Sequence, residues 1–143
     1  MKTSRAALLD VNVLIALLDR EHTFHNSAHA WFKRNRNHGW ATCPITENGC
    51  VRILSKAGLT STVTRQVLAE LCSARDHLFW PDSISILSPG LDLTGVGPRS
   101  LTDIYLLSLA VKNHARLITF DQSIPLHCVS GCSEKDIEVL SAG

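Results

Sequence analysis

A carboxylate interrupts the most apolar stretch of the chain, and that conflict constrains the fold more than any other feature. Residues 6–18 read A-A-L-L-D-V-N-V-L-I-A-L-L. Residues 6–9 are a short continuous apolar run of the kind that forms a strand buried on both faces. Residues 13–18 read as the buried first turns of a helix, with Asn12 as its expected N-cap. Asp10 then falls at the C-terminal end of a central strand, where open α/β sheets place their binding crevices. A charge in that position is costly unless something compensates it, so Asp10 needs partners from elsewhere in the chain.

The remaining segments alternate between helical and strand patterns. A helix is expected over 26–35 from Ala28, Trp31 and Phe32, with Lys33, Arg34 and Arg36 as a basic cluster at its C-terminus. Residues 40–43 form a short apolar strand stopped by Pro44. Thr46 is placed to cap a helix over 47–56, which Gly58 ends. A further helix opens at Ser61 or Thr62, carrying Val63, Val67, Leu68, Leu71 and Cys72 at helical spacing. Residues 79–82 read as a turn, 84–87 alternate like a strand, and 88–99, with two prolines and three glycines, form an irregular loop. Residues 101–114 are the clearest helix, 116–120 a strand, and 137–140 a short edge strand. Strands alternating with helices imply a parallel sheet covered on both faces by right-handed crossovers.

A length of 143 residues fits one domain, 1–143, and 45% hydrophobic residues suffice for a core. Fourteen Lys and Arg against thirteen Asp and Glu give a net charge of +1, so any basic surface for nucleic acid must be local. Five cysteines with no C-x-x-C pair argue against a disulfide framework and for a reducing cytoplasm. Lys2 and Arg5 before an apolar run imitate a signal peptide, but Asp10 and Asn12 break that run. No apolar stretch is long enough for a bilayer, so a soluble protein without a membrane partner is expected.

Four acids sit at element boundaries. Asp10 ends the first strand, Glu47 opens the helix after the second, Asp103 lies in the first turn of the long helix, and Asp121 ends the fourth strand. Strand C-termini and the following helix N-termini share one edge of a parallel sheet. Like charges gathered there need a proton or a cation, and oxygen-only ligands favour Mg²⁺ or Mn²⁺. Each acid taken alone also has a structural reading. Ser100-Leu-Thr-Asp103 matches a capping box, Glu47 complements a helix dipole, and Asp121 is a common turn residue. Asp10, apolar on both flanks, is the hardest to explain structurally.

Five blocks together carry a resemblance: L-L-D-V-N-V-L-I-A-L-L, W-A-T-C-P-I-T-E-N-G, W-P-D-S-I, R-S-L-T-D-I-Y-L-L-S-L-A-V and R-L-I-T-F-D. In this order, over residues 8–121, the chain resembles the PIN-domain family, and within it the VapC toxins of bacterial toxin–antitoxin pairs. The resemblance implies a three-layer α/β/α sandwich with a central parallel sheet of four or five strands. It implies a Mg²⁺-dependent endoribonuclease, usually dimeric, that cuts transfer RNA or ribosomal RNA and so inhibits translation. Asp10, Glu47, Asp103 and Asp121 match the four family acids, with Asp10 and Asp103 as main metal ligands. Asn12 matches a position that orients the first Asp, and Thr119 is placed for similar support. A VapB-like antitoxin is the implied partner, with a basic side chain reaching the acids. Water attack would leave a 5′-phosphate and a 3′-hydroxyl.

Arg52, Lys56, Arg99 and Arg116 are candidate contacts to the RNA backbone near this rim, against plain surface charge. His25 and His29 stand four apart near His22, a spacing that can bind zinc, against polar surface or groove lining. His127, Cys128 and Cys132 are spaced loosely for a metal, and Trp31, Trp40 and Trp80 are expected to pack rather than stack on bases. Two rival functions remain. One is a haloacid-dehalogenase-type phosphatase, for which Asp10-Val-Asn12 lacks the second Asp. The other is a non-catalytic PIN module binding RNA or a protein.

Overall fold

The computed structural model describes residues 5–141; Lys2 of the basic lead lies outside the described residues. Five strands and five helices follow in the order β1 (Ala7–Leu9), α1 (Val11–Leu18), α2 (His25–Asn35), β2 (Trp40–Thr42), α3 (Pro44–Lys56), α4 (Ser61–Cys72), β3 (His77–Phe79), α5 (Leu101–Lys112), β4 (Arg116–Thr119) and β5 (Ile137–Val139). The strands form one sheet in the order β3-β2-β1-β4-β5, and every neighbouring pair is parallel. No described helix is long and apolar enough to cross a membrane.

The two-residue period of the strands sorts the core into two halves. Ala7, Leu9, Trp40 and Ile118 face a cluster with Val13, Leu14, Trp31, Phe32, Cys50, Leu54 and Leu68, drawn from α1 to α4. Leu8, Ala41 and Leu117 face the opposite cluster, with Ile104, Leu106, Leu107 and Leu109 of α5 and with Ile124, Cys128 and Val129. The result is the expected three-layer sandwich. Leu8 pairs with Ala41 on one side and Leu117 on the other, and all three are fully buried, which is why β1 reads as a continuous apolar run. Each large side chain buried this completely contributes about 1.5–3 kcal/mol.

Several boundaries differ from the sequence expectation for identifiable reasons. Asp10, not Asn12, is the N-cap of α1: its side chain accepts from the Val11 amide. Thr46 does not precede α3 but sits in its first turn. Pro44 takes the first helical position, where its missing N–H costs nothing, and Thr46 Oγ1 accepts from the Cys43 amide at 2.9 Å. The long helix stops at Lys112, because His114 turns to a left-handed φ of 55°. Residues 84–87 form no strand; the Ile84 carbonyl accepts instead from Tyr105 Oη at 2.9 Å. The strand on that side is β3, where Leu78 and Phe79 are exposed, so an edge position erases the burial period that would have marked it.

Gly49 sets how closely α3 approaches α1. A Cβ there would stand 2.9 Å from Cγ2 of Val11, the residue after Asp10. Alanine has the higher helix propensity by about 1 kcal/mol. Gly49→Ala is nevertheless expected to lower unfolding stability in urea by about 1–2 kcal/mol through overpacking, and Val11→Ala to relieve most of that loss in the double variant. A more stable Gly49→Ala protein would contradict this packing.

Candidate active site

Asp10 ends β1 on the same face as Leu8, the α5 side of the sheet, and is 4% exposed. Both of its oxygens are engaged. Oδ1 accepts from the Val11 amide at 2.7 Å, and Oδ2 accepts from Thr119 Oγ1 at 2.7 Å. Thr119, fully buried at the end of β4, shares the face of Leu117 and so points to the same side. Its hydroxyl oxygen accepts in turn from the Asp121 amide at 3.0 Å and from Asn12 Nδ2 at 3.4 Å. Asn12 Oδ1 accepts from the Phe120 amide at 3.3 Å. Asn12 therefore reaches Asp10 through Thr119, tying the first turn of α1 to the end of β4.

Two further carboxyls complete this corner. Asp103 lies half-buried in the first turn of α5, and Ser100 makes no side-chain cap there, so the capping-box reading fails. Burial, then the charge of Asp10, then a hydrogen bond to Asp121, push the Asp103 carboxyl up to about 7. Asp121 behaves in the opposite way. Its Oδ1 accepts from the amide and hydroxyl of Ser123 at 2.8 and 2.7 Å, and these bonds hold its carboxyl below the usual range. The turn reading of Asp121 is thus realised together with its place beside Asp103. Desolvation raises the Asp10 carboxyl as well, against the opposing bonds from Thr119 and Val11. Three acids from β1, α5 and β4 accordingly act on one another, and one of them retains a proton to near neutrality. Oxygen-only donors that repel one another in this way fit a hard divalent cation, which would take the place of that proton.

Glu47 is directed elsewhere. It stands in the first turn of α3, and its Oε2 accepts from Thr42 Oγ1 at 2.7 Å. Thr42 shares the Trp40 face of β2, the α1–α4 side. The neighbours of Glu47 there are His77 and Cys72, with Thr42 Oγ1 2.8 Å from His77 Nε2. Burial lowers the His77 imidazole and pushes the Cys72 thiol up to about 11. Glu47, Val51 and Leu68 also line a cleft of about 430 Å³ between α3 and α4, together with Arg65. Thr42, Arg65, Cys72 and His77 were not legible as site residues, since nothing in their spacing links them to Glu47.

The basic candidates spread apart. Arg99 is exposed one turn before Asp103. Arg52 is exposed midway along α3, and Lys56 closes that helix about 13 Å along its axis from Glu47. Arg116 corrects the expectation outright. It opens β4, at the strand end opposite Thr119, where it bonds Glu138 and Asn35 Oδ1 and lies over the Trp31 ring. Arg36 is likewise occupied, by Asp76 at 2.8 Å. The histidine trio holds the chain rather than a metal: the rings of His25 and His29 meet the carbonyls of Ala16 and Leu17 at 2.7 and 3.1 Å, capping the end of α1, and His22 Nδ1 accepts from the Phe24 amide. Trp31 and Trp40 are core residues, and Trp80 packs against the α5 half.

A family model described as the PIN domain matches residues 7–127. Ribonuclease VapC44 of Mycobacterium tuberculosis is 44% identical over 140 residues, which covers 94% of this chain and 99% of the relative. Ribonuclease VapC39 of the same organism is 39% identical over 135 residues, 90% and 97% of the two chains, and ribonuclease VapC29 is 39% identical over 118 residues, 82% and 86%.

The raised Asp103 carboxyl has a thermodynamic sign. An acid whose folded pKa exceeds its unfolded value binds more protons when folded, so stability is lost as pH rises from about 4 through about 7. In metal-free protein, Asp103→Asn is expected to leave Tm unchanged near pH 4. At pH 8 it should raise stability by about 1 kcal/mol, or Tm by about 4 °C, after discounting for solvent screening of a half-buried group. A Tm difference independent of pH would contradict it.

Proposed function

Because the chain belongs to the PIN domain family, we propose that it is an endoribonuclease of the VapC kind, dependent on Mg²⁺ or Mn²⁺. One observation carries this reading: Asp10, Asp103 and Asp121 come together at one rim of the sheet, where burial first and then the charge of Asp10 push the Asp103 carboxyl up to about 7. The similarity to VapC ribonucleases over nearly the whole chain supplies the reaction class.

In this reading Asp10 and Asp103 hold the cation, which when bound supplies Lewis acidity toward a phosphate oxygen and eases ionisation of the attacking water. Thr119 fixes the rotamer of Asp10 by donating to Oδ2, and Asn12 fixes Thr119. Both are positioning residues that act through Asp10. Asp103 gives up its proton as the cation binds, so cation affinity rises with pH toward 7. Asp121, kept ionised by Ser123, remains the anion that orients water. Glu47, whose Oε2 accepts from Thr42, is the fourth acid of this reading. Water attack on phosphorus leaves 5′-phosphate and 3′-hydroxyl ends. Arg99, beside Asp103, is the candidate contact to the RNA backbone best placed for the rim.

The substrate on this reading is a structured RNA, transfer or ribosomal, cut in the cytoplasm so that translation stops. The partner is a VapB-like antitoxin. The cleft beside Glu47 and the exposed Ile53, Leu59, Val63 and Val67 near α3 and α4 support a docking surface for it. A homodimer is the oligomeric state carried by this reading, and light scattering of the purified chain checks it.

The direct test incubates purified protein with total cellular RNA in Mg²⁺ or EDTA and maps the ends by sequencing. Discrete cuts with 5′-phosphate ends are expected in Mg²⁺ alone, with Asp10→Asn slower by about 100-fold or more. Cyclic 2′,3′-phosphate ends would overturn the water-attack route. An unchanged rate in Asp10→Asn, or no cutting by folded protein that binds Mg²⁺, would favour a module that only binds RNA or protein. Thr119→Val is expected to cost about 10- to 100-fold in Mg²⁺ affinity, measured by calorimetry.

A further inference from the structure

We infer that Glu47, Cys72 and His77 form a second metal site, chemically unlike the aspartate pocket, that takes Zn²⁺ or a similar borderline-soft ion. The three residues come from the first turn of α3, the last residue of α4 and the first residue of β3. A carboxylate oxygen, the Cys72 Sγ and an imidazole nitrogen all lie within 4.8 Å of one another, and all three residues are half-buried. Small side-chain rotations bring such a set to the edges of roughly 3.5 Å found in tetrahedral zinc sites. One thiolate, one imidazole and one carboxylate make three protein ligands, leaving a fourth position open. Sulfur and nitrogen donors select Zn²⁺ over Mg²⁺, whereas the aspartate pocket offers only oxygen.

Thr42 draws two of the three donors together. Its hydroxyl donates to Glu47 Oε2 at 2.7 Å, and Oγ1 stands 2.8 Å from His77 Nε2. A cation among the three ligands would take the Glu47 carboxylate and the His77 ring over from Thr42. Binding also replaces the thiol proton, so each Zn²⁺ bound to Cys72 releases one proton to solvent. The site ties α3, α4 and the exposed edge strand β3 together. It does not rest on the ribonuclease reading, although a metal there would hold Glu47 away from the aspartate pocket.

The test titrates metal-free full chain with Co²⁺ as an optical stand-in for Zn²⁺, with no RNA present. One equivalent is expected to give a thiolate-to-cobalt charge-transfer band and tetrahedral visible bands, both erased by Zn²⁺ with a rise in Tm. Cys72→Ser should lose the charge-transfer band, and His77→Gln should weaken Co²⁺ binding by about 100-fold or more. Asp10→Asn should leave both signals intact, which separates this site from the aspartate pocket. No thiolate band in folded wild type would overturn the inference. So would a band that survives in Cys72→Ser or disappears in Asp10→Asn. Should Cys72→Ser fail to fold, His77→Gln with a native circular dichroism spectrum decides, and unchanged affinity in it overturns the site.

Discussion

The hydrogen bond from Thr119 Oγ1 to Asp10 Oδ2 joins the ends of two central parallel strands and gives a buried carboxylate a fixed place between them. Strand pairing alone brings the two residues to neighbouring positions, since Leu9 is opposite Ile118. The hydroxyl then orients one carboxylate oxygen while the Val11 amide holds the other. A carboxylate with both oxygens so engaged has lost most of its rotamer freedom. It also exerts its charge on Asp103, brought back to the same rim because α5 runs antiparallel to the strand it feeds. The aspartate pocket is thus a consequence of register and topology, with the acids as the only costly part.

Around this centre the sheet divides the chemistry by face. Asp10 and Thr119 point to the α5 side with Leu8 and Leu117, where Asp103 and Asp121 join them. Thr42 and His77 point to the α1–α4 side with Trp40, where a thiol, an imidazole and Glu47 gather. Hard donors on one face and softer ones on the other arise from two-residue alternation along strands of three or four residues. Glu47 stands at the boundary, on the shared rim yet bonded to the softer group.

Burial explains what could be read from residues alone. The strand at residues 6–9, the acid after it and the long helix at Asp103 were legible because central elements bury both faces and show unbroken apolar runs. Asp121 was legible in the same way, at the end of the strand over 116–120, and Thr119 was placed beside it together with the resemblance to PIN domains. Failures cluster where burial is partial or the partner is distant in sequence. β3 is an edge strand with exposed Leu78 and Phe79, while of the alternating residues 84–87 only Ile84 packs beside Tyr105 and Ile86 and Leu87 are exposed. Asn12 resembled a cap because Asp10 looked committed to chemistry, yet the Asp10 carboxylate is itself the cap. His25 and His29 have metal-like spacing but serve the open carbonyls of α1. Arg116 is adjacent in sequence to the strand that ends at the acids, yet strand direction carries it to the far edge.

The proposed coupling of Asp10, Asp103 and Asp121 into one cation site is most directly tested by carbon-13 NMR titration of the aspartate carboxyls in metal-free protein, repeated in Mg²⁺. The predicted result is an Asp103 midpoint near 7, an Asp121 midpoint below the usual carboxylate range, and loss of the high midpoint once Mg²⁺ is added. Three ordinary midpoints indifferent to Mg²⁺ would contradict a shared pocket, whatever the protein does to RNA.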